Sequence, residues 1–161
     1  MTPKLDIQIP ADWDEIDGVR ERTASFLRKH GLPPPGVDAV AMVTCELTEN
    51  AVKYGHFSDN TTEILVQVAY APVSVTVEVR SPVAADDVEN LQRLDRMVQW
   101  IRGYQDPFEA YLDRLKEVSS QSLNSIESGL GLVRIAYEGQ SVLDFYVDDR
   151  NVLAVSAVYQ P

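Results

Sequence analysis

Hydrophobic and polar positions alternate, fall into helical spacing and alternate again along this chain, and each switch of period marks an element. LDIQIP places Leu5, Ile7 and Ile9 on one side of an extended segment, which predicts a short strand with one buried face ending at Pro10. From Asp12 the residues Trp13, Ile16, Val19, Ala24, Phe26 and Leu27 recur at helical intervals, predicting a first helix that must stop by GLPPPG, Gly31 to Gly36. A second helix is expected from about Val37 to Tyr54, closed by Gly55. EILVQVAY and VSVTVEV are β-branched and alternating, which predicts two antiparallel strands joined through Ala71, Pro72 and Val73.

Beyond Val79 the period becomes helical again. Asp86 to Trp100 and Pro107 to Val118 carry leucines, valines and aromatics at three and four spacing among charges, with Gly103 and Pro107 separating the two. The polar tract Ser119 to Ser128 has no buried-face pattern and reads as a loop. A helix is expected from about Leu130, and SVLDFYV and NVLAVSAVY then predict two strands joined by a tight turn over Asp148 to Asn151. This order predicts an α+β fold, a two-layer sandwich of helices on one face of a mainly antiparallel (mixed) sheet. The length of 161 residues suits a single domain, 1–161, with a helical insertion and lid at about 84–128.

Composition narrows the function classes. The chain has 25 acidic and 14 basic residues, a formal charge of -11, and its Lys and Arg are scattered, so no basic stripe offers itself to nucleic acid. No run of about 18 apolar residues predicts a membrane span, and the N-terminal stretch lacks the apolar core of a signal peptide. Cys45 is the single cysteine, and His30 and His56 have no partners at metal-ligand spacing, as expected of a cytoplasmic protein without a zinc or thiol site.

Two stretches carry candidate chemistry. In ELTENAVKYG, Val40, Val43, Leu47, Ala51 and Tyr54 form the stripe expected to face the sheet, and Glu46 and Asn50 emerge one turn apart at its margin. A carboxylate beside an amide oxygen suits a hard Mg²⁺ ion shared with waters and substrate phosphates, while the carboxylate stays able to take a proton. Alone, such a pair is more commonly a solvated glutamate and a capping amide. In GLGL, Gly129 and Gly131 precede a helix whose unpaired N–H groups favour a phosphate, although glycines at a helix start also serve ordinary turns.

In this order, ELTENAVKYG and SGLGLVRI resemble the N box and second glycine box of the GHKL (histidine-kinase-like) ATPase superfamily, closest to the anti-sigma-factor serine kinases. The Glu, Asn-Ala and terminal Gly of the N box are in place, and the shorter glycine box matches as Gly129, Leu130, Gly131 and Leu132. The resemblance implies a Bergerat-like ATPase fold, Asn50 as ligand of Mg²⁺ and Glu46 as general base. It also implies that the backbone of Gly129, Leu130, Gly131 and Leu132 holds the phosphates of ATP beneath the Ser119 to Ser128 lid. Lys53 matches an often basic position able to meet a phosphate, and is equally an exposed helix lysine. The first glycine box is degenerate: the family's strand ends in Asp-x-Gly-x-Gly, whose Asp reads the adenine amino group. Here VEVRSPVAADDVEN places Ser81 there, with no glycine between Gly55 and Gly103.

Two functions follow. The first is a Mg-ATP-binding serine protein kinase of anti-sigma-factor type, acting in a phosphorylation switch on a regulatory protein such as a sigma factor or anti-anti-sigma protein. The alternative is a degenerate, non-catalytic module of the same fold that acts by protein docking. Trp100, Ile101, Tyr104, Phe108, Tyr111 and Leu112 give the insertion a large apolar surface, which either folds back as core or forms a partner interface such as a homodimer seam.

Overall fold

The computed structural model describes residues 2–58, 62–119 and 130–161. Five strands, β1 (Lys4–Pro10), β2 (Glu63–Ala71), β3 (Ser74–Pro82), β4 (Ser141–Val147) and β5 (Val152–Tyr159), form one sheet in the order β1-β2-β3-β5-β4. Every pairing is antiparallel, so the sheet is not mixed among the described residues. The reason lies in the connections. Two short hairpins, β2 to β3 and β4 to β5, can join only antiparallel strands, and β5 returns beside β3 in the opposite sense.

Strand alternation divides the sheet into two faces. The register Ile7, Val66, Val79 and Val155 runs along the apolar side, while Asp6, Gln67, Glu78, Ser156 and Asp144 line up on the other. Helices cover the apolar side: α1 (Ile16–Lys29), α2 (Pro34–Tyr54), α3 (Val88–Arg102), α4 (Pro107–Ser119) and α5 (Leu130–Tyr137), with a 3-10 turn at Trp13–Glu15 before α1. The result is an α+β two-layer sandwich, as the sequence order predicts.

α2 organises the helical layer. Pro34 and Pro35 open it, where their missing N–H groups cost nothing. It then buries Val37, Val40, Ala41, Val43, Cys45, Leu47 and Ala51 between α1, α5 and the sheet. This burial is wider than one stripe, and it takes in Thr44 and Thr48, whose hydroxyls donate to the Val40 and Thr44 carbonyls at 2.8 and 2.7 Å. Gly55 ends the helix with an extended backbone, φ -66°, ψ 150°, instead of the left-handed cap expected of a terminal glycine. Its missing side chain matters for space, because a Cβ there would stand 2.5 Å from the Phe57 ring and 2.6 Å from the Ala51 carbonyl oxygen.

The insertion divides between core and surface. Leu94, Val98, Ile101 and Ala110 are buried, and Trp100 and Tyr111 pack half-buried against the core. Phe108 and Leu112 remain 39% and 37% exposed on α4, with the Phe108 and Tyr111 rings 5.0 and 5.4 Å from that of Tyr137 on α5. Of the expected lid, only Ser119 is described, as the last residue of α4. Ser120 to Ser128, and Gly129, lie outside the described residues.

Candidate functional site

A cavity of about 200 Å³ opens where the C-terminal half of α2, the end of β3, α3 and the start of α5 meet. Its floor is apolar, with Leu47, Val79, Val83, Leu94, Leu132 and Val155. Polar groups ring it: Glu46, Glu49, Asn50 and Lys53 come from α2, Ser81 from β3, and Asn90 and Arg93 from α3. An apolar chamber with a few convergent polar groups is the usual form of a small-molecule site. Enclosing pockets for drug-sized ligands usually measure about 300–1,000 Å³. This chamber is therefore suited to a base-sized group, with the rest of a larger ligand lying across the rim.

The positions of the polar groups follow from helix geometry. Glu46 and Asn50 are four residues apart, so both side chains reach the same side of α2, and both are half-buried. Lys53, one turn on, is exposed, with its Nζ 5.1 Å from the Tyr54 ring centroid. α3 is started by Asp87, whose side chain accepts the Asn90 backbone N–H at 3.4 Å. That start sends Asn90 and Arg93 over the cavity, where the Arg93 guanidinium lies 4.3 Å from the Tyr54 ring centroid and donates to Asn90 Oδ1 at 3.3 Å.

Glu46 is the most constrained of these groups. Arg134 of α5 donates to its Oε1 at 2.8 Å and also to Glu138 Oε2 at 2.9 Å. The other carboxylate oxygen lies so close to Gly131 that a Cβ at that position would collide with it. Burial pushes the Glu46 carboxyl above its ordinary range and the charge of Glu49 adds to this, while Arg134 draws it down and Glu138 opposes Arg134 more weakly. The carboxylate is thus held by one cation at the boundary of the cavity, with a proton affinity raised by burial.

The sequence-nominated residues are therefore brought together in part. Glu46, Asn50, Lys53, Gly131 and Leu132 line one cavity. Leu130 is half-buried at the first position of α5 and is not among the lining residues, and Gly129 lies outside the described residues. Ser81, the position where the resemblance lacks its Asp, faces into the cavity and is 4% exposed. Sequence reasoning missed Asn90, Arg93 and Arg134. A signal existed for Arg134, three residues after Gly131 and so on the same helix face, but α3 gives no such hint because its path over the cavity depends on the turn at Pro82 to Asp87.

The donor set fits a magnesium ion of the phosphate-sharing kind. Among the described residues there is no group of three or more His, Cys, Asp and Glu able to hold a metal ion. What the rim offers is the Asn50 amide beside the Glu46 and Glu49 carboxylates, and a Mg²⁺ held by one or two protein oxygens completes its shell with water and phosphate. At the start of α5 the Glu46 carboxylate lies against the Gly131 backbone, in the space that a side chain at this position would fill.

Residues 9–136 match the family model of the histidine kinase-like ATPase domain, and the chain belongs to that family. Its fold is similar to that of a chain in the crystal structure of the SiaB-SiaC complex from Pseudomonas aeruginosa, with a TM-score of 0.72 and 21% identity. The match covers 96% of this chain and 88% of that one. No curated protein matches the sequence. Among the described residues, no helix is long and apolar enough to cross a membrane.

Proposed function

With membership of the histidine kinase-like ATPase family as the premise, we propose that the chain is a Mg-ATP-binding serine protein kinase of anti-sigma-factor type, acting on a regulatory protein partner. The observation that carries this reading is the convergence of Glu46, Asn50, Lys53 and Gly131 on one apolar-floored cavity, from segments some 80 residues apart. A regulatory partner is supported further by the fold's likeness to a chain in a two-protein complex, SiaB-SiaC.

In this reading the apolar part of the cavity would hold the nucleobase, and Asn50, Lys53 and the backbone at the start of α5 would hold the phosphates. The Asn50 amide oxygen would hold the metal, Lys53 would offer a cation at the rim, and the Gly131 backbone would give phosphate access to helix N–H groups. Mg-ATP, when bound, would supply the electrophilic γ-phosphorus, with the metal ion offsetting the charge on the phosphates. Glu46 takes the proton of the acceptor serine as its oxygen bonds to phosphorus and the bond to ADP breaks. A carboxyl raised by burial is a better base than an exposed one, and the Arg134 guanidinium, which opposes that rise, fixes one of its oxygens at 2.8 Å. The reading treats residues 1–161 as one domain, in which α3 of the insertion contributes Asn90 and Arg93 to the cavity wall.

A second reading, docking without catalysis, is favoured by Phe108, Leu112 and Leu115, 39%, 37% and 37% exposed at helical spacing on α4. The two separate in one experiment. Under the kinase reading, Glu46→Gln retains Mg-ATP binding by calorimetry and loses phosphate transfer, typically about 10²–10⁴-fold for removal of a general base. Under the docking reading the wild-type chain binds no nucleotide.

A further inference from the structure

We propose that the β4 edge is an interface for a second copy of this chain, the two copies pairing antiparallel about Phe145 so that Asp144 of each faces Tyr146 of the other.

β4 is the last strand of the sheet, and among the described residues nothing pairs with its outer side. Its ladder with β5 fixes which backbone groups point outward. Asp148 N–H donates to the Val152 carbonyl at 3.0 Å, and Gln160 N–H to the Gln140 carbonyl at 3.4 Å, so the even-numbered residues of β4 bond inward to β5. The N–H and C=O groups of Ser141, Leu143, Phe145 and Val147 therefore point away from the sheet. In keeping with this, Phe145 N–H donates to Asp144 Oδ1 at 2.9 Å and not to β5.

Natural sheets blunt such an edge with lysine or proline, which discourage pairing with another chain. β1, the opposite edge, has both: Pro3 precedes it, Lys4 begins it and Pro10 ends it. β4, SVLDFYV, has neither, and its Val142 and Tyr146 are 54% and 49% exposed on the face away from the helices.

Charge selects the register. An antiparallel strand meets its own copy about a two-fold axis, the commonest symmetry of soluble oligomers. Centred on Asp144, that axis would set two carboxylates directly opposite each other, which is destabilising. Centred on Leu143, it would set each Asp144 against the apolar Val142. Centred on Phe145, it pairs Phe145 with Phe145 and Leu143 with Val147 through backbone hydrogen bonds and sets each Asp144 against Tyr146. The Tyr146 hydroxyl accepts from Arg80 Nη2 at 2.9 Å, so the acid of one copy faces the row that carries Arg80 in the other. Phe145 N–H then passes from Asp144 to a backbone carbonyl of the second copy.

The test is sedimentation equilibrium of the full chain, with Tyr146→Asp and Tyr146→Lys, at about 0.15 M salt, where the charge of -11 on each copy is screened beyond about 8 Å. Wild type should be dimeric at about 100 µM, and amide exchange at Leu143, Phe145 and Val147 should slow as the dimer forms. Y146D places two carboxylates opposite each other at both symmetric positions and should weaken association by at least about tenfold, whereas Y146K places a cation there and should stay dimeric. A monomeric wild type, a dimer in which those three amides exchange as fast as in the monomer, or equal association of Y146D and Y146K overturns the proposal.

Discussion

Glu46 and Arg134 are 88 residues apart in sequence and meet in a 2.8 Å ion pair that ties α2 to α5 at the lip of the cavity. The pair opposes the effect of burial on the proposed base. Burial and Glu49 raise the Glu46 carboxyl, and among the described residues Arg134 is the group that lowers it. Arg134→Gln should therefore raise the Glu46 pKa further, read by carboxyl ¹³C NMR titration, with Arg134→Lys keeping it near wild type. An unchanged Glu46 titration in R134Q contradicts the role given to Arg134.

The same carboxyl makes stability depend on pH with a definite sign. Because its folded pKa lies above the ordinary value of 4.5, the folded chain still holds this proton at pH values where the unfolded chain has released it. Its contribution is then fully present below about 4.5 and is lost as pH rises through the raised folded value. Gln does not titrate. Urea unfolding should show Glu46→Gln gaining stability relative to wild type between pH 4 and pH 7.5, and a relative loss over that interval would reverse the sign.

Two glycines of the α5 region should respond differently to alanine. A Cβ at Gly131 meets the far end of the Glu46 side chain, which can swing away, and alanine recovers about 0.5–1 kcal/mol of helix preference. Gly131→Ala should thus leave stability within about 1 kcal/mol of wild type while breaking the Glu46 to Arg134 pair, visible as an altered Glu46 titration. A Cβ at Gly139 collides with Val43 Cγ2 and stands 2.5 Å from the Ile135 carbonyl oxygen, where backbone cannot yield easily. Gly139→Ala should cost about 1–3 kcal/mol in chemical denaturation. Equal costs at both sites would contradict the packing described.

Much of the fold is legible in the chain. The alternation of Ile7 and Ile9, of Ile64, Val66 and Val68, and of Val75, Val77 and Val79 marks the strands and the face they bury, because a period of two suits a half-buried strand and no helix. The i, i+4 spacing of Glu46 and Asn50 places them side by side, as found in the cavity wall. Pairings across the fold leave no local mark, so the Arg134 contact and the approach of Asn90 and Arg93 from α3 emerge only from the packed helices. The Gly55 cap departs from expectation for a related reason: the glycine is needed for clearance from Phe57, which a spacing rule does not see.

The central claim, that the cavity beside Asn50 binds Mg-ATP, is tested most directly by thermal unfolding with and without nucleotide and metal. At about 100 times the dissociation constant, a ligand of the folded state adds roughly 2.7 kcal/mol, and at about 2–4 °C per kcal/mol for a chain of this size the Tm should rise by roughly 5–11 °C. Asn50→Ala should lose the Mg²⁺-dependent part of that rise. No shift in the wild-type protein with millimolar ATP or GTP in the presence of Mg²⁺ would contradict it.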